Sequence, residues 1–190
     1  MELNTIIALV GLALVVMFVI TTYNGIVNAK NAVKRAWASV LTQERQKNKI
    51  LPDLQDAVSR YSEFEQSVQT QITELRSEVS KLKDSTPDVE RLQTVEALSG
   101  KVLKGLQVTM EAYPDLKASD LFQKLMREIT EQQEQIGAAI RIYNHNVEAF
   151  NNQIQNFPNN VVNSLLNREK EVETFTDTGA SEGFEYQPNI

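Results

Sequence analysis

Few residues in this chain could carry chemistry. There is one histidine, His145, within Asn144-His145-Asn146. Carboxylates recur as close pairs, Glu63/Glu65 and Glu131/Glu134. Helical acids of this kind hold a di-metal centre only when Glu-x-x-His sets accompany them, and none occurs here. No His or Cys lies at metal-ligand spacing, so no zinc site is expected. There is no Gly-rich phosphate loop, and no GxSxG serine elbow is expected. Acids on exposed helix faces account for the carboxylates. The expectation is a non-enzymatic protein with no catalytic residue, no metal and no cofactor.

Other residues exceed what a simple helical core needs. Tyr23, Asn24, Asn31 and Trp37 cluster just beyond a long apolar run. They read either as interfacial anchoring plus one core Trp, or as a partner site. Tyr113, Pro114, Asp115 and Lys117 lie in Glu111–Lys117, a link between helices. That link is either a turn sealing the helix ends or a functional loop on a rigid scaffold. Tyr143-Asn144 repeats the Tyr23-Asn24 pair, with Asn144 either exposed or bonded across helices. Phe157-Pro158 closes the last long helix. These are the candidate interaction residues.

The element that positions them begins at the N-terminus. Between Glu2 and Lys30 there is no charge, and Leu3 to Tyr23 is dominated by Ile6–Ile20. A helix of that length spans about 30 Å, the hydrocarbon thickness of a bilayer. A cleaved signal peptide fits poorly, because no Lys or Arg precedes the run and Val27-Asn28-Ala29 lies well beyond it. A buried core helix rarely stays apolar on every face for so long. The reading is a single-pass anchor over residues 1–23. Lys30, Lys34 and Arg35 follow it, so the positive-inside rule puts the C-terminal side in the cytoplasm and the N-terminus outside. The absence of cysteine is compatible with a reducing compartment.

The remainder is expected to be all-α. Residues 24–167 form an antiparallel bundle of three long helices plus one short, with turns near 84–87 and 113–119. Val33, Trp37, Val40, Leu51, Leu54, Val58, Tyr61, Phe64, Val68, Ile72, Leu75, Val79 and Leu82 trace a helical seam. It is interrupted where Glu44 and Lys47 fall. This predicts one helix from about 24 to 83, bent near Pro52. Thr86 and Pro87 suit the N-cap and first position of the second helix. A third begins at Ser119-Asp120, with Asp120 and Gln123 at capping-box spacing. Its stripe runs from Phe122 to Phe157 with Gln133 as the one polar step. A short segment, 160–166, offers Val161, Val162, Leu165 and Leu166 for packing. Residues 168–190 form an acidic tail of a usually disordered composition, with Phe175, Phe184 and Tyr186 as docking points if it is held. A net charge of −6 does not point to nucleic acid.

Taken together, Tyr23-Asn24, Asn31, Ala36-Trp37, Gln43, Leu51-Pro52, Tyr61, the EAYPDLKA run Glu111–Ala118 with Phe122, Tyr143-Asn144 and Phe157-Pro158 resemble the LemA family of bacterial membrane proteins. The resemblance implies a single-pass anchor in the cytoplasmic membrane, a cytoplasmic helical bundle and no established enzymatic activity. Family genes often neighbour membrane metalloproteases or TPM-domain proteins. Leu41, Glu44, Gln46 and Lys49 depart from the family's basic, Asp-containing stretch, and the acidic tail replaces an aromatic, basic one. The expected partners are the lipid bilayer, further copies of the chain, and a second membrane or envelope protein. The expected role is a scaffold that self-assembles or organises partners, extending to membrane remodelling. The alternative is a regulatory adaptor for a membrane protease or other envelope protein.

Overall fold

The computed structural model describes residues 2–59, 66–84 and 86–176. Among these residues the chain is helical, with no strand. In order come α1 (Leu3–Ser59), α2 (Gln66–Lys81), α3 (Val89–Ala112), the single turn α4 (Pro114–Lys117), α5 (Asp120–Gln155) and the single turn α6 (Asn159–Val162). A π-helical turn, Asn163–Asn167, ends the helical part. The contacts divide the chain into two compact units, and α1 and α5 each contribute to both.

The larger unit includes residues 37–142. The stretch expected as one helix from 24 to 83 is two helices, and α2 runs back along α1. Trp37 Nε1 donates to the Lys83 carbonyl at 3.0 Å, and Arg45 pairs with Asp84 at 3.0 Å. A continuous helix would separate 37 from 83 by about 70 Å. A reversal that keeps apolar residues in helical step leaves no mark on the periodicity, and no Gly or Pro occurs between Ser59 and Gln66. The positions of Tyr61 and Phe64 lie outside the described residues. Pro52 stays inside α1, which continues to Ser59. The bundle therefore has four long helices in up-down-up-down order rather than three. Its core is the apolar set the seams identify, including Leu51, Leu54, Ile72, Leu92, Val102, Phe122 and Ile136, all buried.

Two caps shift from their expected places. Asp88, not Thr86, caps α3. Its carboxylate accepts the Arg91 backbone N–H at 3.1 Å and the Arg91 side chain at 3.2 Å. Arg91 also pairs with Glu78 of α2 at 2.9 Å, so an ionised cap locks two helices where a threonine could hold only one. At α5 the Ser119 hydroxyl accepts the Phe122 N–H, and Gln123 donates to the Lys117 carbonyl at 2.7 Å rather than boxing Asp120. Gly105 lets α2 close on α3, since a Cβ there would lie 3.1 Å from the Val68 side chain.

The smaller unit includes residues 2–36 and 143–174. Its apolar run is exposed: Ile7, Leu12, Val15 and Met17 are among the side chains open to the surroundings. Helix α1 is the one described helix long and apolar enough to cross a membrane, and no protein covers its most apolar window. Further along, Ile26 and Val33 are buried, as are Tyr143, Val147, Phe150 and Ile154 of α5.

Candidate functional site

The interaction candidates do not form one cluster. Tyr23, Asn24 and Asn31 are exposed on α1, whereas Trp37 is buried in the larger unit's core. In the link, Pro114, Asp115 and Lys117 are exposed and Tyr113 is half-buried, while Leu116 pins the turn by burial. Phe157 and Pro158 are exposed. Tyr143 is buried, and Asn144 is half-buried rather than exposed. His145 is exposed, as are Glu131 and Glu134, and no metal-competent group of His, Cys, Asp or Glu occurs among the described residues.

Tyr143 has a specific task. Its hydroxyl donates to the Glu173 carbonyl at 3.0 Å, and burial together with the Glu173 charge pushes its pKa up to about 12. Nearby, the Asn151 amide clamps Val172 from both sides, donating to its carbonyl at 2.8 Å and accepting its N–H at 3.0 Å. Asn163 does the same for Glu169. Glu169 also pairs with Lys30 at 2.7 Å. Arg168, at φ 53°, turns the chain into this strap. The first part of the expected disordered tail, 168–176, is thus docked, and Phe175 is buried. Asn and Tyr side chains satisfying main-chain groups replace the apolar burial that the composition lacks. Phe184 and Tyr186 lie outside the described residues. So does Gly179-Ala180-Ser181-Glu182-Gly183, which has the letters of a serine elbow. An elbow also needs a strand before the serine, and none occurs among the described residues.

The constellation that sequence reasoning missed lies inside the larger unit. Glu44 and Lys47 are fully buried on α1. The Lys47 ammonium donates to Ser99 Oγ at 2.7 Å, Glu96 Oε1 at 3.1 Å and Gln133 Oε1 at 3.2 Å. The Ser99 hydroxyl in turn donates to the Val95 carbonyl, and the Gln133 amide donates to Glu96. Beside them Gln132 of α5 donates to Gln43 of α1 at 2.6 Å. Glu44 Oε2 is 2.9 Å from Lys47, yet neither Glu44 oxygen receives a hydrogen bond. The two facts agree, because the three ammonium protons are already committed elsewhere. The breaks at Glu44/Lys47 and at Gln133, each visible in its own seam, are partners at one level of the bundle. Matching their depth across helices would have revealed the pairing.

Electrostatics completes the picture. Burial raises the Glu44 pKa to about 8 against the opposing pull of Lys47, and neighbouring Glu96 raises it further. A protonated Glu44 spares the layer a further buried negative charge. Between the ordinary carboxylate range and about 8, the folded chain holds a proton that the unfolded chain has released. Stability contributed here is therefore complete at acidic pH and is lost as pH rises through that window. Glu44→Gln, permanently neutral and of similar shape, should remove this decline. Chemical denaturation of wild type between about pH 5 and about pH 9 should show a loss on the order of a few kcal/mol that the variant lacks. Parallel curves would refute the protonated form.

With this geometry in hand, the comparisons with known proteins fall into place. A 31% identical relative, Protein LemA of Metamycoplasma hominis, aligns over 144 residues, 75% of this chain. The chain covers 64% of that relative's length. The family model for LemA matches residues 36–187, which takes in the four-helix bundle, the charged layer and the docked strap. On that match, the chain belongs to the LemA family.

Proposed function

We propose that the chain is a non-enzymatic scaffold, anchored in the bacterial cytoplasmic membrane by the start of α1, that self-assembles and organises partners beside that surface. The observation that carries this reading is the continuity of α1. One helix holds both the exposed apolar span and core residues of the bundle, from Leu3 to Ser59. A tether would need only to hold a domain near the bilayer. An unbroken helix joins span and core residues with no loop between them, a build that suits lateral assembly of many copies. The basic residues Lys30, Lys34 and Arg35 support a cytoplasmic bundle with the N-terminus outside. The net charge of −6 gives no support for a nucleic-acid partner.

A flexible Gly-Ser insertion after Tyr23 tests this. It should leave the protein in the membrane fraction and leave helicity unchanged, while the oligomers of wild type, read by light scattering in detergent, dissociate. Unchanged oligomers, or a wild type that is monomeric and captures no partner on crosslinking, would sink the scaffold reading. The second reading is an adaptor for a membrane protease or other envelope protein. It is favoured by the α4 link, where Asp115 and Lys117 are exposed on a turn held by buried Leu116. A co-purifying protein whose capture depends on Asp115 would decide for it.

A further inference from the structure

The smaller unit leaves a second apolar surface uncovered, away from the core it builds. Helix α5 ends at Gln155, and the chain passes through Phe157 into α6 and the π-helical turn. Of the apolar residues that follow, only Val162 is buried. Phe157 is 81% exposed and Leu165 66%, with Val161 and Leu166 about half exposed. Four exposed apolar side chains within ten positions are unusual for a segment bathed in water, and each would gain by being covered.

Their location says what covers them. Asn167 Nδ2 donates to the Tyr23 carbonyl at 3.4 Å, which sets the π-helical turn beside the end of the apolar span. One turn deeper into α5, the Gln153 amide packs against Gly25, so close that a Cβ on residue 25 would lie 2.5 Å from it. The exposed patch is therefore level with the last residues of the span, at Tyr23. Further along α1 come Lys30, about 10 Å beyond Tyr23 and paired with Glu169, then Lys34 and Arg35, about 16–18 Å beyond it, on the side where anionic headgroups would lie. Arg168 and Lys170 are exposed directly after the turn.

We propose that Phe157, Val161, Leu165 and Leu166 form a second membrane-docking surface that lies in the interfacial layer of the same bilayer the α1 span crosses. The occupant is lipid. The surface continues the exposed apolar face of α1 within one compact unit, and basic residues flank it where anionic headgroups would lie. The turn sits in the interface and no deeper, because the exposed charges of Arg168, Lys170 and Glu171 follow it directly and hydrocarbon would not accommodate them. Short apolar segments of this kind enter about 5–10 Å below the headgroups. The consequence is a two-point hold: α1 fixes position, and the patch fixes rotation about the α1 axis.

The inference rests on the anchor reading, and the test separates the two. The chain has no cysteine, so Leu12→Cys, Leu165→Cys and Thr130→Cys can each carry one environment-sensitive NBD label. The full-length protein is reconstituted in phosphatidylcholine–phosphatidylglycerol vesicles containing lipids spin-labelled at shallow or deep acyl positions. The label at 165 should lose about half its emission to the shallow quencher and less to the deep one, as an interfacial site requires. The label at 12 should respond to the deep quencher, and the label at 130, an exposed bundle position, to neither. Val161→Cys repeats the measurement should Leu165→Cys fail to fold. If 12 is quenched while 165 and 161 behave like 130, the docking surface is overturned and the anchor stands. If 12 is not quenched, both fail.

Discussion

Replacing Lys47 with Met should destabilise the bundle by about 3–5 kcal/mol near neutral pH, the cost of leaving the part-buried Glu96 carboxylate, Ser99 and Gln133 without the ammonium that binds them. Its ammonium is 1% exposed and supplies three donors to two other helices. Methionine fills the volume but donates nothing, so Glu96 Oε1, Ser99 Oγ and Gln133 Oε1 each lose the donor they share. Removing the whole layer tells a different story. Glu44→Met, Lys47→Met and Glu96→Leu together leave no orphaned charge, and stability should return to the wild-type level or rise above it by about 1–4 kcal/mol. Urea denaturation of the full-length protein in detergent, followed by circular dichroism, checks both. A Lys47→Met variant within about 0.5 kcal/mol of wild type would show that the layer is already hydrated and electrostatically weak.

If the triple variant is more stable, stability is not why the layer exists. A polar layer at one depth makes sense as a register key. Sliding α1 by one turn against α3 or α5 would set Lys47 against apolar residues and strand Glu96 and Gln133, whereas an all-apolar seam tolerates such slips. The triple variant should keep its helicity yet lose uniqueness of packing, seen as broadened methyl resonances.

How much of this was legible in the residues depends on what each signal measures. Periodicity reports which face of a helix is buried, and it located Leu51, Leu54, Ile72, Leu92, Val102 and Ile136 correctly. It does not report direction. That is why α1 and α2 read as one helix although α2 returns along α1. Composition reports whether a segment can bury apolar surface, so it marked 168–176 as loose. The strap is held instead by Asn151, Asn163 and Tyr143 bonding its main chain, a mode that composition does not register. The interaction candidates were chosen for unusual residue types near the membrane and in loops. The structure scatters them, because Trp37 serves the core and Tyr143 serves the strap. The charged layer was visible only as defects in two stripes, and a defect acquires meaning only when its partner across the bundle is known.

Trp37→Ala should cost about 3–5 kcal/mol, as large as the loss of Lys47, but for an unrelated reason. Trp37 is 1% exposed and is the largest fully buried side chain among the described residues. It lies where the chain leaves α2, and its indole N–H donates to the Lys83 carbonyl at 3.0 Å. Lys81 is the last residue of α2, so that carbonyl belongs to the link into α3 and has no helical partner to turn to. The ring fills the core while the N–H ties down the connection, and two variants separate these roles. Trp37→Phe keeps most of the volume and loses the donor, which should cost about 1–3 kcal/mol, since the carbonyl near the bundle end can recruit water. Its effect should concentrate in the link, as faster amide exchange at Lys83 and Asp84 with the rest of the bundle protected. Trp37→Ala should instead loosen α1, α2 and the link together, because a cavity of that size is felt by every helix that lines it. Both are read by hydrogen exchange on the full-length protein. Equal, uniform losses of protection in the two variants would mean that the hydrogen bond is incidental and that Trp37 acts by volume alone.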